Sequence, residues 1–153
     1  MDLSRDFHEF FSSLERHEVR YLLIGGYAMA AHGAPRFTKD LDIWVWMDPE
    51  NAGAMLAALD EFGFGGLGLT EGDLLADDTI IQLGYPPQRI DVLTTPSGVR
   101  FEDCWDGRLK IAIDGLTIPV LGLQGLIDNK TAAGRDQDLV DVRVLRRLFG
   151  SAE

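Results

Sequence analysis

Apolar residues fall at helical spacing over the first stretch of the chain. In "SRDFHEFFSSLERHE" (4–18), Phe7, Phe10, Phe11, Leu14 and His17 line one face, and Ser4 stands where an N-cap belongs. The period then changes. "VRYLLIGG" is a short apolar run ended by two glycines and predicts a strand. "YAMAAHGAP" is alanine-rich and stops near Gly33 and Pro35, which predicts a short helix. "LDIWVWM" predicts a second strand. "DPENAGAMLAALDEFGF" predicts a helix with Asp48 as cap, Pro49 at its first position and an apolar face of Met55, Leu56 and Leu59. Residues 63–78, glycine-rich and acidic, predict a loop.

The second half is patterned as strands, then helices. "TIIQLGYPPQRIDVLTT" holds two short strands joined at Tyr85-Pro-Pro, and "GRLKIAIDGLTIPVLG" holds a hairpin turning at Asp114-Gly115. Two helices follow, near 121–133 and 137–148, separated around Gly134. No repeat, low-complexity tract or linker divides the chain, so residues 1–153 are expected to form one domain. This order predicts an α+β arrangement: a mixed sheet of about five strands, flanking helices on one side and a C-terminal helical pair. Parallel pairing of the first two strands, followed by antiparallel additions, is the expected topology.

Composition narrows the function classes. The chain has 14 Lys+Arg against 25 Asp+Glu, a formal charge of −11. That disfavours a protein that coats nucleic acid, since such binding needs a basic footprint. It leaves room for a divalent cation drawn to clustered carboxylates, or for a basic protein partner. No run approaches the roughly 20 apolar residues of a membrane span, and the first residues show no signal-peptide pattern. The single cysteine, Cys104, excludes an internal disulfide framework and fits a reducing cytoplasm. Three scattered histidines and one cysteine form no zinc pattern.

The chemistry concentrates in "KDLDIWV". Asp40 and Asp42 share one face of a strand, roughly 7 Å apart along it, and repel unless a cation lies between them. By itself such a pair also suits a solvated face. Three neighbours favour a site. Gly25-Gly26 follows a strand and opens a helix, where backbone N–H groups can approach a phosphate. Arg36 and Thr38 place a cation and a hydroxyl just ahead of the acids. "RIDVLTT" supplies Asp91 inside another strand. Three carboxylates on neighbouring strands would make a two-metal site, filled by Mg²⁺, for in-line phosphoryl or nucleotidyl transfer.

Gly-Gly, a short helix, Arg-x-Thr-x-Asp-x-Asp and a later strand Asp together resemble the DNA polymerase beta-type nucleotidyltransferase superfamily. "NKTAAGRDQDLVDVRVL" is similar to the Lys-x-x-Ala-x-Arg-x-x-Asp-x-x-Asp element of AbiEii-like nucleotidyltransferase toxins and their small single-domain relatives. The resemblance spans about residues 20–148. It implies a nucleotidyltransferase fold, with Gly25 and Gly26 cradling phosphate and Asp40 and Asp42 as paired metal ligands. Asp91 would be the third carboxylate, helping to activate the attacking hydroxyl. Lys130 would contact the triphosphate, and Asp138 is the acid of the same element, with Asp141 one helical turn on.

Two departures stand out. Gly26 occupies a position where the superfamily often has serine, and Asp136 in "RDQD" makes the local charge less favourable to a triphosphate. The expected activity is Mg²⁺-dependent transfer of an NMP from an NTP to an acceptor hydroxyl. The expected role is the toxin of a toxin–antitoxin pair, with tRNA or a protein as acceptor and an antitoxin protein as partner. An antibiotic-modifying nucleotidyltransferase and an inactive nucleotide-binding module are the alternatives.

Overall fold

The computed structural model of the protein describes residues 3–35, 40–85 and 89–150. Helix α1 (Arg5–Arg16) begins where the pattern places it: the Ser4 hydroxyl accepts from the Phe7 N–H at 3.2 Å. Strand β1 (Tyr21–Ile24) runs into α2 (Gly25–Ala31), and β2 (Leu41–Val45) leads to α3 (Pro49–Leu59). There the Asp48 side chain accepts from the Asn51 N–H, with Pro49 in the first turn. Residues 63–78 are more structured than expected. The chain leaves α3 through a wide helical turn, Asp60–Phe64, in which Gly63 takes φ 113°, then forms a 3-10 turn, Gly65–Leu67, and the short α4 (Glu71–Leu74). The remaining elements are β3 (Ile80–Leu83), β4 (Ile90–Leu93), α5 (Phe101–Cys104), β5 (Leu109–Ile113), β6 (Leu116–Val120), α6 (Leu123–Ala133) and α7 (Asp136–Phe149).

Six strands form one mixed sheet in the order β3-β4-β2-β1-β6-β5. Both expected hairpins are present: β3 pairs with β4 and β5 with β6, antiparallel. The second turns through Asp114 (φ 48°) and Gly115 (φ 84°), two successive positive φ angles as its tight turn requires. The connection at Pro86 and Pro87 lies outside the described residues.

The expected parallel pairing of β1 with β2 is corrected. They are antiparallel, with Ile24 opposite Asp42 and Tyr21 opposite Val45. The parallel neighbours are β2 with β4 and β1 with β6. The reason is geometric: the chain doubles back through α2, so the end of β1 meets the start of β2. Parallel pairing would have carried the glycine turn to the far end of β2, away from its acids.

Strand alternation then separates two faces. Tyr21, Leu23, Leu41, Ile43 and Val45 are buried on one, where Phe11 of α1 stacks on Tyr21. Phe7, Phe10, Phe11 and Leu14 are almost wholly buried, each contributing about 2 kcal/mol by removal from water. Asn51, buried in α3, fastens the strand ends remote from the acids. Its Nδ2 donates to the carbonyls of Arg20 and Trp46, and its Oδ1 accepts from the Arg20 N–H. The opposite face carries Asp42, Trp44, Asp91 and Leu93. Phe101 of α5 packs edge-on against Trp44, whose indole N–H donates to the Thr94 carbonyl at 3.0 Å. No helix among the described residues is long and apolar enough to cross a membrane.

Candidate active site

The glycine at the end of β1 takes a conformation that side chains resist. Gly25 has φ 71°, and a Cβ built there would lie 2.3 Å from Asp42 Oδ2. Because Ile24 pairs with Asp42, the glycine turn lies directly against that carboxylate. Any larger residue would push the acid aside.

Asp42 is in turn abreast of Asp91 across the parallel β2/β4 pair. Burial pushes the Asp42 carboxyl up to about 7, and the neighbouring charges of Asp91 and Asp40 push the same way; the Arg89 cation offsets only part of this. Two carboxyl groups thus face each other in a partly desolvated spot. Asp91 is buried, and its Oδ1 accepts no hydrogen bond.

Asp40 is engaged differently. Arg89, just before β4, donates from its terminal nitrogen to Asp40 Oδ2 at 2.8 Å and to Asp91 Oδ2 at 3.1 Å. Its Nε also lies 3.1 Å from Asp91 Oδ1, an ion-pair distance without hydrogen-bond alignment. Among the described residues no three His, Cys, Asp or Glu side chains converge as a metal-holding group. The structure therefore brings Asp42 and Asp91 together and holds Asp40 to Arg89.

A second charged cluster forms where α6 meets α7. Lys130 is only 3% exposed, and its ammonium donates to Asp141 Oδ2 at 2.8 Å, with Asp138 Oδ1 at 3.7 Å. Gln137 donates to the other Asp141 oxygen at 2.9 Å. Arg135 reaches Asp138 from outside, its Nε 2.7 Å from Oδ2, and the Asp138 carboxylate also caps the start of α7 through the Arg135 backbone N–H. Burial alone would raise the Asp138 carboxyl. The hydrogen bonds and charge of Arg135, with the Lys130 charge, outweigh burial and hold it below the ordinary range. Asp138 and Asp141 share Lys130, as their one-turn spacing implies.

Asp42 and Asp91, but not Asp40 or Arg89, share with this cluster one cleft of about 480 Å³, lined by Gly25, Asp42, Asp91, Lys130, Arg135 and Asp138 among others. Across it lies Asp78, a non-glycine residue at φ 54°, held by paired hydrogen bonds with Thr95. The cleft thus gathers the carboxylates of Asp42 and Asp91 with the cations of Lys130 and Arg135. The residues fit a hard divalent cation. A buried carboxylate oxygen lacks a hydrogen-bond partner, a second carboxyl beside it is destabilised as an anion, and the missing Gly25 Cβ leaves room.

Arg36 and Thr38 lie outside the described residues. Two cations escaped the sequence reading. Arg89 stands two residues before Asp91, at strand parity, a signal that could have found it. Arg135 is the arginine of the quoted C-terminal element, although no role was attached to it. His32 and Tyr27 are structural: the His32 Nε2 lies 2.8 Å from the Leu121 carbonyl oxygen, and Tyr27 packs edge-on against Phe7.

Neither a protein-family model nor a curated protein matches this chain. Solved structures do. A candidate nucleotidyltransferase from Thermotoga maritima aligns at 16% identity, over 95% of this chain and 91% of the other, with TM-score 0.60. ANT(2'')-Ia, solved in complex with adenylyl-2''-tobramycin, aligns at 12% identity over 95% and 88%, also with TM-score 0.60. An antigenic nucleotidyltransferase-like protein from Paracoccidioides brasiliensis aligns at 15% identity over 95% and 78%, with TM-score 0.55. The chain has the nucleotidyltransferase fold.

Proposed function

We propose that this nucleotidyltransferase-fold chain is a Mg²⁺-dependent enzyme that moves an NMP from an NTP to an acceptor hydroxyl, with pyrophosphate leaving as the bond between the α- and β-phosphates breaks. The observation that carries this reading is the abutment of the Gly25 turn on Asp42, with Asp91 beside it and Lys130 and Arg135 lining the same cleft. Asp42 and Asp91 would hold Mg²⁺, with Asp40 completing the set for two ions. When bound, the ions neutralise phosphate charge and polarise the phosphorus being attacked.

The chain's own residues do the rest. The backbone at Gly25 and Gly26 gives the phosphates a close approach free of side chains. Arg135 presents its outward N–H groups to the triphosphate while Asp138 fixes its inner edge. Lys130 adds positive potential from the cleft floor, its orientation set by Asp141 and Asp138. Asp91 Oδ1, free of hydrogen bonds, is the atom to receive the acceptor's proton. Positioning and charge compensation supply most of the rate enhancement.

For the acceptor, the C-terminal "NKTAAGRDQDLVDVRVL" element favours a toxin acting on tRNA or protein in the cytoplasm, restrained by an antitoxin protein. A second reading, adenylylation of an antibiotic hydroxyl, is favoured by the likeness to ANT(2'')-Ia over 95% of this chain. Incubation with Mg²⁺ and each labelled NTP, with total RNA, cell lysate or aminoglycosides in separate arms, tests both. Label should reach one acceptor class and disappear in Asp42→Ala. Undiminished labelling by Asp40→Ala/Asp42→Ala would refute the metal assignment, and no nucleotide binding under any condition would leave a binding module without this activity.

A further inference from the structure

Exposed apolar residues gather in two places. Of the nine large apolar side chains that stand exposed among the described residues, four lie within 67–85 and four within 139–149. Each group keeps company with charge of one sign. Residues 63–85 hold Glu71, Asp73, Asp77 and Asp78, all exposed, and no lysine or arginine. Residues 139–149 hold Arg143, Arg146 and Arg147, all exposed, and their one acid, Asp141, is buried against Lys130.

Helix geometry turns the second group into a stripe. Leu139, Arg143, Arg146 and Arg147 recur at i, i+4, i+7 and i+8, so they share one side of α7, and Val140 borders it. The buried side of the helix is made by Asp138, Asp141, Val142 and Leu145. Among the described residues none of the three arginines has a hydrogen bond or an ion pair. The carboxylates of Glu71 and Asp77 are unpaired in the same sense, in a segment where Leu67 is 55% exposed and Ile80 59%. A polyanion would meet the arginines but leave Leu139 and Val140 in water, and a chain of charge −11 repels it. The complement of this stripe is apolar and acidic together, which is the character of residues 67–80.

We infer that the chain forms a homodimer in which the α7 stripe of each copy docks on the 67–80 segment of the other. The contact is made twice about a two-fold axis, so it closes and does not propagate. It also answers the repulsion between two chains of charge −11, because each copy sets its local positive charge against the other's acids. Asp78 and Ile80 in one segment, and Arg135 and Asp138 at the start of α7, line the same cleft. The docked copy therefore stands beside the cleft, and the inference is independent of what binds there.

The test is sedimentation equilibrium of the full chain across the micromolar range, where wild type should be a dimer. Arg143→Glu/Arg147→Glu and Glu71→Lys/Asp77→Lys should each be monomeric. Two reversed charges in each of two contacts make four attractive pairs repulsive, which weakens association on the order of a hundredfold. Mixed in equal amounts, the two variants should form a dimer again, because every reversed charge then meets its opposite. Should Arg143→Glu/Arg147→Glu fail to fold by circular dichroism, Arg143→Gln/Arg147→Gln carries the test, with association weakened about tenfold. A monomeric wild type would overturn the inference. So would a dimer that persists in both variants, which would put the contact on another surface, and so would two monomeric variants that do not pair when mixed.

Discussion

Removing Lys130 separates a structural role from a phosphate-binding one. Lys130→Met keeps most of the side-chain volume but leaves Asp141, 1% exposed, and Asp138, 3% exposed, without their shared cation. Breaking a buried pair in this way costs about 3–5 kcal/mol, because an uncompensated charge remains. Two contacts soften the loss: Gln137 still bonds Asp141, and Arg135 still bonds Asp138. The lower end, about 3 kcal/mol, is therefore expected. At about 2–4 °C per kcal/mol for a chain of this size, the melting temperature should fall by about 6–12 °C.

Urea denaturation of Lys130→Met, Asp141→Asn and the double variant measures the coupling. The double variant should recover much of the loss, since the neutral amide no longer needs a cation. A melting temperature within about 2 °C of wild type, or costs that simply add, would refute the buried-pair account. If Lys130 served only the triphosphate, the substitution would weaken NTP binding and leave stability alone.

Other outcomes follow from the same contacts. Gly25→Ala should cost about 1 kcal/mol from its positive φ alone, and displacement of Asp42 should abolish label transfer; a fully active variant would contradict the abutment. Asp42, with a folded value of about 7 against an ordinary 3.8, holds its proton in the folded state while the unfolded chain releases it. Stability in chelator should therefore fall as pH rises from about 4 to about 7 and level off above. Asp42→Asn should flatten that slope and be more stable than wild type at pH 8, by on the order of 2–4 kcal/mol; parallel curves would refute the shift. Asn51→Ala removes three hydrogen bonds and leaves the Arg20 N–H without its acceptor, while the Arg20 and Trp46 carbonyls still accept from the Trp46 and Asp48 N–H groups; a loss of about 1–3 kcal/mol is expected in urea melts with little effect on NTP affinity. Arg135→Ala should raise KM for NTP severalfold while the Lys130 pair keeps the fold.

Local signals were the readable ones. Ser4, Asp48 with Pro49, and Asp114-Gly115 each act through the backbone a few residues away, so their helices and turn could be placed from the chain alone. The acids were visible for the same reason: their alternation along β2 is a property of one strand. Pairing direction was not, because α2 and the residues after it are long enough for either a crossover or a return. That choice was decided by β4 and β6, which claim the parallel positions beside β2 and β1. Lys130 was legible as a candidate triphosphate contact, but its burial against Asp138 and Asp141 was not, because those partners sit on the next helix and no periodicity within α6 reports that packing. Arg89 was missed because an arginine beside an acid in sequence says nothing of the second acid across the strand pair.

The placement of β1 has a consequence for synthesis. Leu23 has Ile43 on one side and Val120 on the other. All three acids precede Leu109, where the β5/β6 hairpin begins. A chain elongating at about 5–20 residues per second therefore carries the complete acidic set for several seconds while a central apolar strand remains an open edge. Such edges invite pairing with other chains. Nascent chains stalled before Leu109 should accordingly be the aggregation-prone species, and the hairpin, which supplies none of these acids, is the part that closes the sheet.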